Sequence, residues 1–245
     1  MTSNIRFDNP KDGIQNWNER KIILKKIIET ENPDLIGTQE GRWPQLLDLS
    51  RILPEYSLFS PHRNWIFERM YPCFFLKLNK FKIIRSGDIW LSETPDVAGS
   101  HSFNSTFPRL CTWLETDSSF FINTHLDHIK STTRDEQIKT LINEVNKIKP
   151  TAKPIILMGD FNDGPDSNVR QILNAEWKLA DTWKNLEESS HHEFCGEKKD
   201  GKRIDWILID KSLNFKNTKM IKTQENGIYP SDHFPIVTEL LDFPA

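Results

Sequence analysis

Ile155-Ile156-Leu157-Met158 runs straight into Gly159-Asp160-Phe161-Asn162, so an apolar stretch ends in a carboxylate and an amide two residues apart. The pattern recurs along the chain. Asn4 in SNIRFD, Glu40 in GTQE, His125 and Asp127 in NTHLDH, Asp205 in RIDWI, and Asp232 with His233 in SDH each sit at or near the edge of an expected strand. Taken singly, each has an ordinary reading: a helix cap, a turn, a hydrogen-bonded core histidine, or half of an Arg203–Asp205 ion pair. Taken together, carboxylates, amides and two histidines at the ends of several strands have one economical explanation. They line a shared polar cleft held by loops on a rigid scaffold.

Oxygen donors with no cysteine cluster suit a hard cation such as Mg²⁺, which takes one or two carboxylates and leaves its other positions to water and phosphate. Glu40 is the expected principal ligand, with Asn4 and Asp232 beside it. Hydrolysis of a phosphate ester then needs an activated water and stabilisation of the growing negative charge. Asp160 is the expected proton acceptor. Asn162 faces the same way if strand geometry persists, and holds the water or a phosphoryl oxygen. His125 and His233 are expected to donate to phosphoryl oxygens, with Asp205 orienting His233 and raising its pKa. Arg109 reads equally as a phosphate ligand or as the partner of an acid. Thr124 and Asp127 read as braces of the His125 loop.

Periodicity supplies the elements that must hold these residues. Helices are expected at 18–31, with Ile23, Leu24, Ile27 and Ile28 on one face, at 44–53, and at 133–149. Thr132/Thr133 with Asp135/Glu136 suggests a capping box for the last of these, which Pro150 ends. A further helix is expected after Pro165. Strands are expected at 34–40, 155–160, 203–210 and 234–240. Hairpins are expected at 72–92, turning at Asn79-Lys80, and at 110–126, turning at 116–119. Mixed strands, helices and hairpins favour an α/β sandwich with a mixed sheet or sheets.

Length allows one α/β or β-sandwich domain or two small ones, and with no linker or repeat along the chain a single catalytic domain over residues 1–245 is expected. The chain is 37% hydrophobic and 27% charged, with a net charge of −3, so no global charge argues for nucleic acid or an anionic membrane. Three scattered cysteines, Cys73, Cys111 and Cys195, argue against a disulfide framework and for a reducing, cytoplasmic setting. There is no apolar run long enough for a transmembrane helix. A monomer is expected. Lys198–Arg203 could track a phosphate backbone, but reads better as a solvated loop tip, and Trp90, Trp113 and Trp206 read as core.

SNIR, TQE, NTHLDH, GDFN, RIDWI and SDH, in this order, resemble the endonuclease/exonuclease/phosphatase (deoxyribonuclease I-like) superfamily over residues 4–237. The WLSETP stretch at 90–95 resembles a bacterial branch related to the deadenylase/nocturnin group. The resemblance implies a four-layer α/β sandwich, with two mixed β-sheets face to face and helices outside. It also implies a Mg²⁺-dependent cleft, in which Mn²⁺ substitutes, built from Asn4, Glu40, His125, Asp160, Asn162, Asp205, Asp232 and His233. The implied activity is hydrolysis of a phosphodiester or phosphomonoester, as a nuclease or a nucleotide or sugar-phosphate phosphatase. A sphingomyelinase-type lipid phosphodiesterase is the alternative. An inactive binding module is the rival from another class, disfavoured because all eight positions are retained. Three departures stand out. Only three residues precede Asn4, Phe67-Glu68 replaces a Gly-Glu pair, and Glu193-Phe194-Cys195-Gly196 replaces a Thr-Phe-His-Gly, implying a changed substrate pocket.

Overall fold

The computed structural model describes residues 1–183 and 188–241. Among the described residues, twelve strands and four α-helices are arranged as two six-stranded sheets with helices on the outer faces. The first sheet contains β1 (Thr2–Asn4), β2 (Leu35–Gly41), β3 (Tyr56–Phe59), β4 (Tyr71–Lys77), β11 (Asn214–Met220) and β12 (Ile236–Leu241), in the order β11-β12-β1-β2-β4-β3. The second contains β5 (Ile83–Trp90), β6 (Leu110–Thr116), β7 (Phe120–His125), β8 (Ile155–Asp160), β9 (Ala180–Asp181) and β10 (Asp205–Ile209), in the order β5-β6-β7-β8-β10-β9. Each sheet is mixed, with one parallel pair, β1 with β2 and β7 with β8, among antiparallel neighbours.

Three apolar clusters make the four layers. Phe74, Leu76, Leu114, Phe121, Ile156, Met158 and Ile207 fill the space between the sheets. Helices α1 (Trp17–Glu31) and α2 (Trp43–Ile52) cover the first sheet through Ile23, Leu24, Ile27, Leu46 and Leu49. Helices α3 (Ser131–Ile148) and α4 (Asn168–Glu176) cover the second through Ile138, Leu141, Val145, Val169 and Leu173. Burial on both faces explains why β4 and β8 read as unbroken apolar runs rather than alternating ones.

Two expectations fail. Residues 72–92 do not form a hairpin, because β4 pairs with β2 on one edge and β3 on the other. With no free edge on β4, the chain crosses over and β5 joins β6 in the opposite sheet. Nor does α3 use a capping box: Lys130 is its N-cap, without a side-chain cap bond. The Asp127 carboxylate instead accepts from the Ile129 and Lys130 N–H groups just ahead of the helix.

One consequence of the topology matters most. The two parallel pairs put the C-terminal ends of β1, β2, β7 and β8 at the same end of the sandwich. Antiparallel β10 begins there too, with Asp205 directly opposite Asp160.

Candidate active site

Asn4, Glu40, His125 and Asp160 occupy those four strand ends, and Asp205 and the Asp232-His233 loop complete the ring. The site is assembled from both sheets. Asn4 is buried at its centre, its Nδ2 lying 3.1 Å from Glu40 Oε1, 2.9 Å from Asp160 Oδ2 and 3.5 Å from His233 Nε2. Its side-chain Oδ1 accepts from the Arg6 N–H at 2.9 Å. Asn4 therefore presents N–H groups to both carboxylates and ties them together.

Glu40 leaves β2 at a register shift between Thr38 and Gly41, with φ of 64°. Such a bulge re-aims a side chain out of the ladder, and here it turns the carboxylate to meet Asn4 and the Phe7 N–H, 3.1 Å from Oε2. Asp160 is 1% exposed, and burial together with the charge of Asp205 pushes its pKa up to about 7, against the opposing pull of His233. Gly159 explains how β8 comes so close to β7. With φ of 143°, an added Cβ would lie 2.0 Å from the Thr124 carbonyl oxygen, so it is the backbone of the neighbouring strand that requires glycine.

The strand does not persist to Asn162, which adopts φ of 51°. Its N–H instead donates to Asp160 Oδ1 at 2.9 Å, and its Nδ2 donates to the Leu126 carbonyl at 3.0 Å. The turn thus fixes the carboxylate and docks GDFN onto the His125 loop. Asp127 braces that loop, accepting from the Thr106, Ile129 and Lys130 N–H groups. Thr124 is buried within β7.

The two histidines have opposite characters. His233 Nδ1 lies 2.8 Å from Asp205 Oδ2. Burial alone would lower its pKa, but Asp205, Asp160 and Asp232 outweigh this and hold it well above the usual value. His125 is neutral: burial first, then Arg109, depress its pKa well below the usual value. Its Nε2 lies 3.4 Å from Asp160 Oδ2, and Arg109 Nη1 lies 2.9 Å from its Nδ1. Arg109 is 6% exposed and contacts His125 and His128 rather than an acid, so the open choice between phosphate ligand and salt partner is not closed by a carboxylate. Glu40, Asp160 and Asp127 act on it only at longer range.

Asp232 faces Arg6 and His191. Its carboxylate lies 3.5 Å from Arg6 Nη1 and 3.9 Å from His191 Nε2, and accepts from Ser231 Oγ. Burial, which would raise its pKa, is outweighed by His233, Arg6 and His191. Among the described residues, ligand atoms of Glu40, His125 and Asp160 lie within 4.8 Å of one another, as do those of Asp160, Asp205 and His233, and those of His191, Asp232 and His233. The first set, with two carboxylates joined through an amide, fits a hard divalent cation.

Several contributors were not singled out from the sequence. Arg6 lies two residues past Asn4 in the same quoted motif, which is the cue that could have found it. His191 packs 4.6 Å from the His233 ring and pairs with it across an isolated bridge; the His191-His192 doublet was its only trace. Ser190 Oγ donates to Asp205 at 2.6 Å. Arg20 is fully buried and donates to the carbonyls of Ile5, Arg6, Phe7, Gln15 and Pro230, pinning the two loops that carry Asn4 and Asp232. Nothing in its sequence position distinguishes it from a solvated helix arginine. Conversely, Glu68 is exposed on the loop before β4, Arg203 is buried against Asp181, and Trp90, Trp113 and Trp206 are core.

A strand-end site of this kind on paired mixed sheets is a deoxyribonuclease I-like arrangement. The model of the Endonuclease/Exonuclease/phosphatase family matches residues 1–233, and the chain belongs to that family, whose members hydrolyse phosphoester bonds. A mannosyl-6-phosphatase of Bacteroides thetaiotaomicron superposes with a TM-score of 0.88 at 26% identity, covering 98% of each chain. TDP2 of Caenorhabditis elegans shares the fold at 18% identity, with a TM-score of 0.70 over 98% of this chain and 95% of that one. An uncharacterised protein of Acanthamoeba polyphaga mimivirus is 29% identical over 167 residues, a match spanning 61% of this chain and 60% of that protein. Among the described residues no helix is long and apolar enough to cross a membrane.

Proposed function

We propose that the chain is one catalytic domain, a Mg²⁺-dependent phosphatase acting on a small phosphate ester of the sugar-phosphate or nucleotide type. The observation that carries this reading is Arg109, a buried guanidinium held by two imidazoles instead of a carboxylate, at the edge of a cluster that also contains an imidazolium and a buried carboxylate. Two fixed cationic groups around a proton acceptor make a receptor for a phosphoryl group. The likeness to a mannosyl-6-phosphatase over the whole chain supports the small-ester choice.

Glu40 would hold the cation, tied through Asn4 to Asp160, with Asp232 beside Arg6. When bound, the cation supplies charge that polarises a phosphoryl oxygen. The remaining work belongs to the protein. Asp160, with a pKa near neutrality, accepts the proton of the attacking water. Asn162 fixes Asp160 through its N–H; its Nδ2 is spent on Leu126, so any contact with the water falls to Oδ1. His233 donates to a phosphoryl oxygen as an imidazolium, and Asp205 keeps it charged and oriented. His125, held neutral, positions Arg109 and backs Asp160.

A phosphate-release screen over sugar phosphates, nucleoside monophosphates and an aryl phosphodiester, with Mg²⁺, Mn²⁺ or EDTA, tests the reading. Metal-dependent turnover of monoesters is expected. Turnover confined to diesters or oligonucleotides would replace it with a nuclease.

A further inference from the structure

The loop that delivers Arg109 also carries Phe107, which is 44% exposed and belongs to none of the three apolar clusters. An exposed phenyl on a floppy loop would mean little, but this loop is fixed. The Thr106 N–H donates to Asp127 Oδ1 at 2.8 Å, and Ser105 Oγ donates to both Asp127 and the Phe107 carbonyl. Thr133 Oγ1 donates to the Phe103 carbonyl at 2.7 Å and ties the loop to α3.

The phenyl ring lies nearly parallel to the His128 imidazole, 15° apart with centroids at 5.9 Å. The same imidazole faces the catalytic side, with its Nδ1 3.3 Å from Arg109 Nη2. The Arg109 guanidinium carbon is 6.0 Å from the phenyl centroid. A continuous line of contacts therefore runs from Asp160 through His125, Arg109 and His128 to Phe107 at the rim. Burial and the nearby Arg109 lower the His128 pKa, so the imidazole is a neutral partner for the phenyl. A phosphoryl group on Arg109 would place the ester's remaining portion at the phenyl face.

We infer that Phe107, backed by His128, is a specificity-determining platform on which a ring in the substrate's leaving group stacks. The inference rests on the phosphomonoester reading above and adds what the ester must carry. A flat apolar face is common to nucleobases and to the hydrophobic side of a pyranose, and base–aromatic stacking shows the size of the effect to expect. Immobilising Phe107 beforehand removes much of the ordering cost of binding.

The test compares kcat/KM for a nucleoside 5′-monophosphate, a hexose 6-phosphate and glycerol phosphate in the parent, Phe107→Ala, Phe107→Leu and Phe107→Trp. The ratio of a ring-bearing ester to glycerol phosphate should fall about 10-fold in the alanine variant, mostly through KM, and stay near the parent's in Phe107→Trp. Phe107→Leu keeps the apolar volume but not the flat face and should resemble alanine, which separates stacking from any folding defect. Whichever ring-bearing ester loses more identifies the ring as base or sugar. Unchanged ratios for both, with good turnover, overturn the platform alone. Failure of the parent to hydrolyse any of the three overturns the monoester reading and the platform with it.

Discussion

His233 Nδ1 and Asp205 Oδ2 meet at 2.8 Å in the interior of the site, and Asp205 is itself held by Ser190 Oγ at 2.6 Å. The pair keeps an imidazolium in a place where burial alone would discharge it. Asp205→Asn removes the charge while preserving the shape. The His233 pKa then falls, so the imidazolium is lost at lower pH and the alkaline limb of the kcat/KM profile moves toward acid. A rate loss of about 10² or more is expected near neutral pH. Stability follows the same sign. A raised folded pKa contributes below the unfolded value and is lost as pH rises through the folded one, so the variant's stability deficit should shrink on the alkaline side. A pH–rate profile unchanged by the substitution would disprove the pairing's role.

Glu40 owes its position to a bulge and its orientation to two donors, Asn4 Nδ2 and the Phe7 N–H. Glu40→Gln leaves an amide where a cation needs a carboxylate. Titration calorimetry with Mg²⁺ or Mn²⁺ should show affinity reduced at least about 10-fold, with activity partly restored at high metal. Equal affinity in parent and variant would remove Glu40 from the metal site.

Arg20 never reaches the reacting atoms, yet its guanidinium holds five carbonyls on the loops that aim Asn4 and Asp232. Arg20→Lys keeps a positive charge but cannot span that set, leaving buried carbonyls unsatisfied at a cost of about 2 kcal/mol. A lower melting temperature alone would fit any structural arginine. The distinguishing result is a fall in metal affinity and kcat at temperatures where the variant is fully folded, with KM changing less.

Buried Arg63 and partly buried Asp88 form an ion pair with Nη2–Oδ1 at 2.6 Å, and Thr112 also donates to the carboxylate. Burial would raise the Asp88 pKa, but Arg63 and His62 outweigh it and bring it down to about 2. A depressed carboxylate contributes above its unfolded pKa and loses that contribution as pH falls through the folded value. Acid should therefore remove about 2 kcal/mol between pH 4 and pH 2. Asp88→Asn strands the Arg63 charge and should cost about 3–5 kcal/mol at neutral pH, read from denaturant midpoints.

The division between what the sequence disclosed and what it hid has a physical basis. The 133–149 helix was legible because Ile138, Leu141, Ile142 and Val145 repeat at helical spacing, and they are the residues buried on the second sheet. The 110–126 hairpin was legible because its turn is short and its strands are neighbours. The same logic failed at 72–92, since periodicity reports which faces are buried but not which edge is already taken. β11, with the half-exposed polar sequence NFKNTKM, carries no apolar run to announce it. Within the site, the carboxylates could be collected because Asp160 ends an apolar run while Asp205 and Asp232 stand just ahead of one. The left-handed turn at Asn162, the Arg6–Asp232 contact and the Arg20 keystone depend on chain segments that meet only after folding.

Asp160 raises the sharpest separation between a structural and a chemical role, because the structure shows it doing structural work. Its Oδ1 accepts from the Asn162 N–H, as a turn-forming aspartate does, while Oδ2 faces Asn4, His125 and His233. The two oxygens divide the labour. Asp160→Asn can keep the turn, since an amide oxygen still accepts from Asn162, but its other atom becomes an N–H group aimed at the Asn4 amide. It can no longer accept a proton at neutral pH. A purely turn-forming role predicts early melting with specific activity kept. The proposed role predicts a melting temperature within a few degrees of the parent and turnover lower by about 10² or more. The buried carboxylate also carries a raised pKa, so removing it relieves a charge held against burial and part of the lost hydrogen bonding is offset. A variant that is folded, binds substrate and does not turn it over would assign the oxygen facing Asn4 to proton transfer. Retained turnover would reduce GDFN to a turn.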